Sequence, residues 1–192
     1  MRARTGETLN CLSMWITTRR ADLADAGLLH DLAAQTFGLA CPPGTLQTDI
    51  DAFIAGHLSR EAFERYLADP DRILLIAAAD DTPVGYSMLV TGPIADPDVA
   101  AVVDEKTSIE LSKFYVSADR HGSGTAAALM TATLTEAATT GADTCWLGVN
   151  QQNHRAANFY AKHGFAIIGT KRFRVGAVLH HDHIRQRLLT PA

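Results

Sequence analysis

Cysteine is scarce in this chain: three residues in 192, at Cys11, Cys41 and Cys145. An odd, widely spaced set builds no disulfide framework and no paired metal knuckle. A basic excess is missing too, since 17 lysines and arginines face 21 acids, a net charge of −4. Nonspecific nucleic-acid binding needs a basic footprint, so no nucleic-acid partner is expected. A cationic substrate or partner is easier to accommodate. No run approaches the roughly 20 apolar residues that span a bilayer. The opening MRARTGETLNCLSMW lacks the apolar core of a signal peptide. The expectation is a reduced cytoplasm and no membrane partner. There is also no internal repeat and no low-complexity tract.

What is present is an ordinary soluble composition, 47% apolar and 20% charged. A chain of this length buries roughly 70% of its unfolded surface and needs no staples. It reads as a single domain over 14–192 after a polar, aperiodic tail at 1–13. Met14 is an alternative start.

The chain begins with a strand at 14–18. A helix follows over 21–37, with Leu23, Leu28, Leu29, Leu32 and Phe37 on its apolar face. CPPG at 41–44 breaks it, and two shorter helices fall at 46–56 and 59–68, the second capped by Ser59. RILLIAAA (72–79) and GYSMLVT (85–91) form a hairpin across DDTPVG. The segment 92–107, with its prolines and acids, reads as a loop placed to sit near a substrate. A strand at 110–116, a helix at 122–140, a strand at 145–149 and a helix from Asn153 to Gly164 come next. Strands at 165–169 and 181–188 close the chain. The two strand–helix–strand units demand parallel neighbours, so the fold class is α/β with a mixed sheet.

The segment FYVSADRHGSGTAAALM leads from a strand through glycines into a helix. Small residues at Gly122, Gly124 and Ala126 let a ligand approach the backbone. The free amides of the helix start then make an anion site suited to a pyrophosphate. A well-capped turn is the plain alternative. No Gly-Lys-Ser/Thr follows, which argues against ATP and GTP. The dinucleotide pattern GxGxxG/A is met by Gly122, Gly124 and Ala127. The following strand, however, ends in the amides of CWLGVNQQN and not in an acid.

The second element is NQQNHRAANFYAKHGF at 150–165. Taken with the glycine loop, it resembles the GNAT family of acetyl-CoA-dependent N-acetyltransferases. The family's signature Q/R-x-x-G-x-G/A falls on His121, Gly122, Ser123, Gly124, Thr125 and Ala126, with His121 departing from the usual Gln or Arg. Its N-x-x-A-x-x-F-Y…GF motif falls on Asn153, Ala156, Phe159, Tyr160, Gly164 and Phe165. Within the family the chain looks most similar to bacterial spermidine/spermine-type enzymes. The resemblance implies a mostly antiparallel central sheet flanked by helices, with two parallel strands splayed around acetyl-CoA. Phe114, Tyr115 and Val116 would pair through the backbone with the pantetheine arm. The 121–126 loop would hold the pyrophosphate. Asn153 would bond the pantetheine or the phosphate end, with Phe159 beside it.

For the chemistry, Tyr160 matches the acid that protonates the departing thiolate; otherwise it is a half-buried helix aromatic. Glu110, on the strand parity of Phe114, Val116 and Ser112, matches a glutamate base. An ordered water beside a solvated Glu110 is the alternative. Lys113 points the other way and reads as a solvated side chain. HHDH at 180–183 is expected to hold no metal, because strand alternation separates its members, and the family places an acid at Asp182. Acids at Asp22, Asp25, Asp31, Asp49, Asp51, Glu61, Glu64, Asp96, Asp98, Asp104 and Glu105 suggest a rim that would welcome a polyamine; ordinary solvated surface is the other reading. The implied activity is acetyl transfer to a small cationic amine, with a homodimer as one possible assembly. A protein acetyltransferase, a silent acyl-CoA sensor and a dinucleotide oxidoreductase are the rivals.

Overall fold

The computed structural model describes residues 15–42, 44–175 and 178–190. The expected tail at 1–13, the alternative start at Met14 and the thiol of Cys11 lie outside these residues. Seven strands form one sheet in the order β1-β2-β3-β4-β5-β7-β6. They are β1 (Ile16–Arg20), β2 (Arg72–Ala79), β3 (Thr82–Val90), β4 (Ser108–Val116), β5 (Thr144–Asn150), β6 (Ala166–Val175) and β7 (Val178–Leu188). All neighbours are antiparallel except β4 and β5. The mixed sheet read from the sequence is therefore present, but with one parallel pair in place of the two expected, because β7 inserts between β5 and β6. β6 and β7 are longer than the expected 165–169 and 181–188.

Helices α1 (Ala26–Thr36), α2 (Gln47–His57) and α3 (Arg60–Ala68) precede β2. Asp22 sets the start of the first. Its side chain accepts from the Ala24 amide at 2.8 Å, and Asp25 accepts from the Asp22 amide at 2.9 Å, a reciprocal capping box. This box bends the chain into a 3-10 turn over Leu23–Asp25, so Leu23 stands 62% exposed. That corrects its expected place on the apolar face, while Leu29, Leu32 and Phe37 are buried there. Asp25 is itself buried and forked by the Arg19 guanidinium at 2.6 and 2.7 Å. Ser59 caps α3 by accepting from the Ala62 amide at 3.2 Å.

The sheet is covered on both faces. α1 and α3 pack against Leu74, Ile76, Tyr86 and Met88. Helices α5 (Thr125–Thr139) and α6 (His154–Lys162) cover the other face, against Leu75, Ala77, Leu89, Ile109, Leu111 and Val149. The segment 92–107 is more than a loop. It holds a short helix, α4 (Pro97–Ala100), whose cap Asp96 accepts from the Asp98 amide at 2.9 Å. Val99 and Val103 anchor it against Trp146 and Ile184.

One irregularity in β4 matters for the site. Met88 pairs with Lys113, yet the next residue, Leu89, pairs with Leu111, so Ser112 is an extra residue in the strand. A bulge of this kind reverses side-chain alternation beyond it. Leu111, Phe114 and Val116 therefore share the α5–α6 face. Glu110 and Lys113 instead line one cavity with Tyr66 and Arg72. The expected parity of Glu110 with Phe114 and Val116 is thus overturned, as is the reading of Lys113 as a solvated side chain.

Candidate active site

β4 and β5 run side by side only over Ser108–Glu110 and Thr144–Trp146. Beyond that pairing they separate. The backbone edge of β4 from Leu111 to Val116 has β3 on one side and an open cleft on the other. Unmade ladder bonds along such an edge are available to an extended ligand. The cleft encloses about 430 Å3. Among its lining residues are Glu110, Phe114, Tyr115, Val116, His121, Gly122, Ala126, Asn153, Phe159 and Tyr160. The topology brings these residues together from three separate segments, 110–116, 121–126 and 153–160.

The glycine loop sits at one end. Gly122 and Gly124 have φ of +81° and +91°, a backbone region that side-chain-bearing residues enter at a cost. Gly124 is the residue that caps α5. The loop's hydroxyls are engaged internally: Ser123 Oγ donates to the Arg120 carbonyl at 2.7 Å and shares a 2.8 Å bond with Thr125 Oγ1. Thr125 is fully buried. What the loop offers outward is therefore backbone N–H at a helix start.

His121 does more than supply backbone. Its Nε2 donates to the Val116 carbonyl at 3.1 Å. That bond fixes the tautomer and leaves Nδ1 to accept from the Arg155 guanidinium. Arg155 lines the cleft, and the sequence reading missed it. Its only signal was a cation next to the Asn153 cap. Asn153 Oδ1 accepts from the Ala156 amide at 3.0 Å, so the cap uses its oxygen and leaves its NH2.

The aromatic wall is continuous. Phe114 stacks on Phe159 at 5.5 Å between centroids, and Tyr160 lies edge-on to Phe114, Phe159 and Phe165 at 6.3, 5.7 and 5.9 Å. Tyr160 is 9% exposed. Burial pushes its hydroxyl pKa well above the usual tyrosine value, so the phenol keeps its proton throughout the working pH range. Tyr115 faces the other way, stacked on Tyr86 at 5.5 Å.

A second cavity of about 420 Å3 adjoins the cleft. Residues Thr91–Asp96 line it, with Tyr66, Arg72 and Trp146. Glu110, Ser112, Lys113 and Lys171 line both cavities and so form their junction. Burial raises the Glu110 pKa above the ordinary carboxylate value, partly offset by the nearby charges of Lys171, Lys113 and Arg72 and by a hydrogen bond from Ser112. Burial lowers Lys113 to about 8 against the pull of Glu110.

Lys171 was not anticipated. It reaches the junction across Gly148, where an added Cβ would meet its Cε at 2.7 Å. Its Nζ lies 3.9 Å from Asp96 Oδ2 and 5.8 Å from the Trp146 ring centre. Asp182 is buried in the cleft wall and accepts from Asn150 Nδ2 at 3.4 Å. Of the expected acidic rim, only Asp96 lines either cavity. Asp25 is spent on Arg19, Glu64 on Arg60, Asp98 on Arg172, and Glu105 accepts from the Ile94 amide.

Comparison with known proteins agrees with this geometry. The sequence profile of the acetyltransferase (GNAT) family matches residues 43–165. The chain belongs to the GNAT family. This makes it an acyltransferase of the N-acetyltransferase class. It is similar to an uncharacterized N-acetyltransferase of Mycobacterium tuberculosis, 45% identical over 167 residues, covering 87% of this chain and 99% of that one. Among solved structures it is similar to the PaiA N-acetyltransferase of Thermoplasma acidophilum in complex with coenzyme A. That similarity has a TM-score of 0.72 at 21% identity and covers 91% of this GNAT chain and 99% of the other. The ribosomal-protein-S18-alanine N-acetyltransferase of Escherichia coli shares the fold at a TM-score of 0.65 and 15% identity, over 93% and 96% of the two chains. Among the described residues no helix is long and apolar enough to cross a membrane.

Proposed function

We propose that this enzyme transfers acetyl directly from acetyl-CoA to the primary amine of a small acceptor, at the junction of the two cavities. The observation that carries this reading is the junction itself. A carboxylate with a raised pKa and a buried, protonated tyrosine both line the cleft that runs to the glycine loop.

The chain's residues fit acetyl-CoA as co-substrate. The open edge of β4 at Phe114–Val116 offers ladder bonds to the pantetheine arm. The amides from Gly122 to Ala126 offer a positive helix start to the pyrophosphate. The Asn153 NH2 and Phe159 line the cleft beside α6. Bound there, acetyl-CoA supplies a thioester carbonyl for attack. Glu110 accepts the proton that the acceptor's ammonium must lose before it can attack. The Tyr160 hydroxyl donates to the sulfur as the thiolate departs.

Small acceptors are favoured because Thr91–Asp96 wall the second cavity and Val99 and Val103 anchor that segment. A polyamine was the expected acceptor from the likeness to spermidine/spermine-type enzymes and from an acidic rim, and only Asp96 of that rim lines either cavity. Spermidine and spermine therefore enter the test as one arm. The test is thiol release from acetyl-CoA by the purified protein, against spermidine, spermine, putrescine, amino acids, aminoglycosides and an N-terminal peptide. Release with a small amine supports the reading. Release with the peptide alone would replace it by protein acetylation. Binding of acetyl-CoA with no release would replace it by acyl-CoA sensing.

A further inference from the structure

The second cavity is lined by charged side chains that acetyl transfer alone does not use. Lys113 Nζ lies 5.3 Å from the centre of the Tyr66 ring, and the Arg72 guanidinium carbon lies 4.8 Å from the same centre. Two cations thus share one aromatic ring, and Arg72 is among the groups that disfavour the charge on Lys113. Arg72 is held by Asp69 through Nε at 2.9 Å. Lys113 makes no ion pair within 4 Å among the described residues, Glu110 included. Lys171 is differently placed, with Asp96 beside it and Asp182 across Gly148. Of these cations Lys113 is the one without a contact ion pair: Glu110 attracts it from beyond 4 Å, and Arg72 lies next to it.

A half-buried cation without a contact ion pair is costly, and a charge-assisted bond to a ligand anion relieves that cost. The face of the Tyr66 ring adds an apolar surface beside it. Glu110, on the same cavity wall, is the group that would face the reacting amine.

On the acetyl-transfer reading above, we propose that the acceptor carries a carboxylate as well as its amine, and that Lys113 and Arg72 bind this carboxylate while the amine faces Glu110. The enzyme is then an N-acetyltransferase of amino-acid-like molecules, and Lys113 is its specificity-determining residue. A polyamine would place a second cation against Lys113 and Arg72 and is disfavoured by the same arrangement.

The test uses matched pairs of amines: alanine, methionine, phenylalanine, lysine and glutamate, each against its α-amide and its decarboxylated amine, with spermidine alongside. For at least one pair the acid is expected to exceed its partners in kcat/KM by about 10- to 100-fold, the range for one charge-assisted bond. Lys113→Gln is expected to collapse that ratio through KM, and Lys113→Arg to restore most of it. A thermal melt checks that both variants fold. Preference for amides, amines or spermidine, or a ratio untouched by Lys113→Gln, would overturn the proposal while leaving acetyl transfer intact. Were no amine to release thiol, titration of the corresponding N-acetyl amino acids and N-acetyl amides onto the CoA-loaded protein would decide separately. Binding of the acids alone at up to about 10 mM keeps the carboxylate site, and binding of neither removes it.

Discussion

The cleft between β4 and β5 and the cavity lined by Thr91–Asp96 enclose about 430 and 420 Å3, yet they are built from different materials. The cleft uses an open strand edge, two glycines with positive φ, a helix start and a wall of aromatic rings. Along the β4 edge and the glycine loop it offers backbone N–H and C=O groups, with His121, Asn153 and Arg155 beside them. The second cavity uses side chains: Arg72, Asp96, Glu110, Lys113 and Lys171 around Tyr66 and Trp146. Backbone recognition suits a ligand that stays the same across a whole family, because it tolerates change in the side chains. Side-chain recognition suits the acceptor, whose identity changes from one relative to another. The junction residues Glu110, Ser112, Lys113 and Lys171 belong to both, and transfer between two ligands would take place there.

Substitutions should therefore divide by cavity. The largest effect is expected for Glu110→Gln, with kcat/KM lower by about 10²- to 10⁴-fold, the range for a lost general base. Acetyl-CoA affinity, read by calorimetry, should barely move. Tyr160→Phe should lower kcat by about 10- to 10³-fold, and unaltered turnover would remove Tyr160 from the chemistry. Gly124→Ala works on the other side of the comparison. A side chain at φ +91° costs about 1–2 kcal/mol, and any loosening of the loop should raise KM for acetyl-CoA with the amine KM unchanged. A shift in the amine KM would show that the two cavities are not separately built.

Gly85→Ala probes the β3–β4 pairing that backs this strand edge. Its Cβ would meet the Tyr115 carbonyl at 2.8 Å and Val116 Cγ2 at 2.9 Å, both part of packed structure. A loss of about 1–3 kcal/mol, typical of overpacking, should appear as a lower denaturant midpoint. The smallest effect is expected far from both cavities. Asp25→Ala removes the Arg19 pair and half of the capping box, for about 1 kcal/mol. Because Arg19 holds the Asp25 carboxyl below its usual range, that contribution is present above pH ~4 and fades as pH falls through the lower folded value. In denaturation series, wild type and variant should converge in acid.

The cleft was legible in the sequence for a physical reason. A strand feeding a glycine loop and a helix, followed by an Asn-capped helix carrying Phe159 and Tyr160, is a set of local devices, and local devices leave local patterns. The β2–β3 hairpin and the parallel β4–β5 pair were legible too, whereas the insertion of β7 between β5 and β6 was not. The second cavity left no such pattern. A single extra residue, Ser112, reverses the facing of everything beyond it in β4. It thereby carries Lys113 from an expected solvated face to the junction. Lys171 and Asp182 come from the β6–β7 hairpin and reach the cleft only because that hairpin pairs with β5 and Gly148 leaves room. The acidic residues were countable, but where each one is spent depends on tertiary partners such as Arg19 and Arg172.

The measurement that bears most directly on this account is kcat/KM against pH, between about 5 and 9, for wild type and Glu110→Gln with the best acceptor of the panel. Wild type should rise with pH through a value above the ordinary carboxylate range, as Glu110 ionises and begins to accept protons. With a carboxylated acceptor it should fall again as Lys113 loses its charge near 8. Glu110→Gln should lose the limb at that value, leaving the dependence set by the acceptor's own ammonium and by Lys113. An acid limb that survives in Glu110→Gln at the wild-type value would contradict the account, because the base would then lie elsewhere.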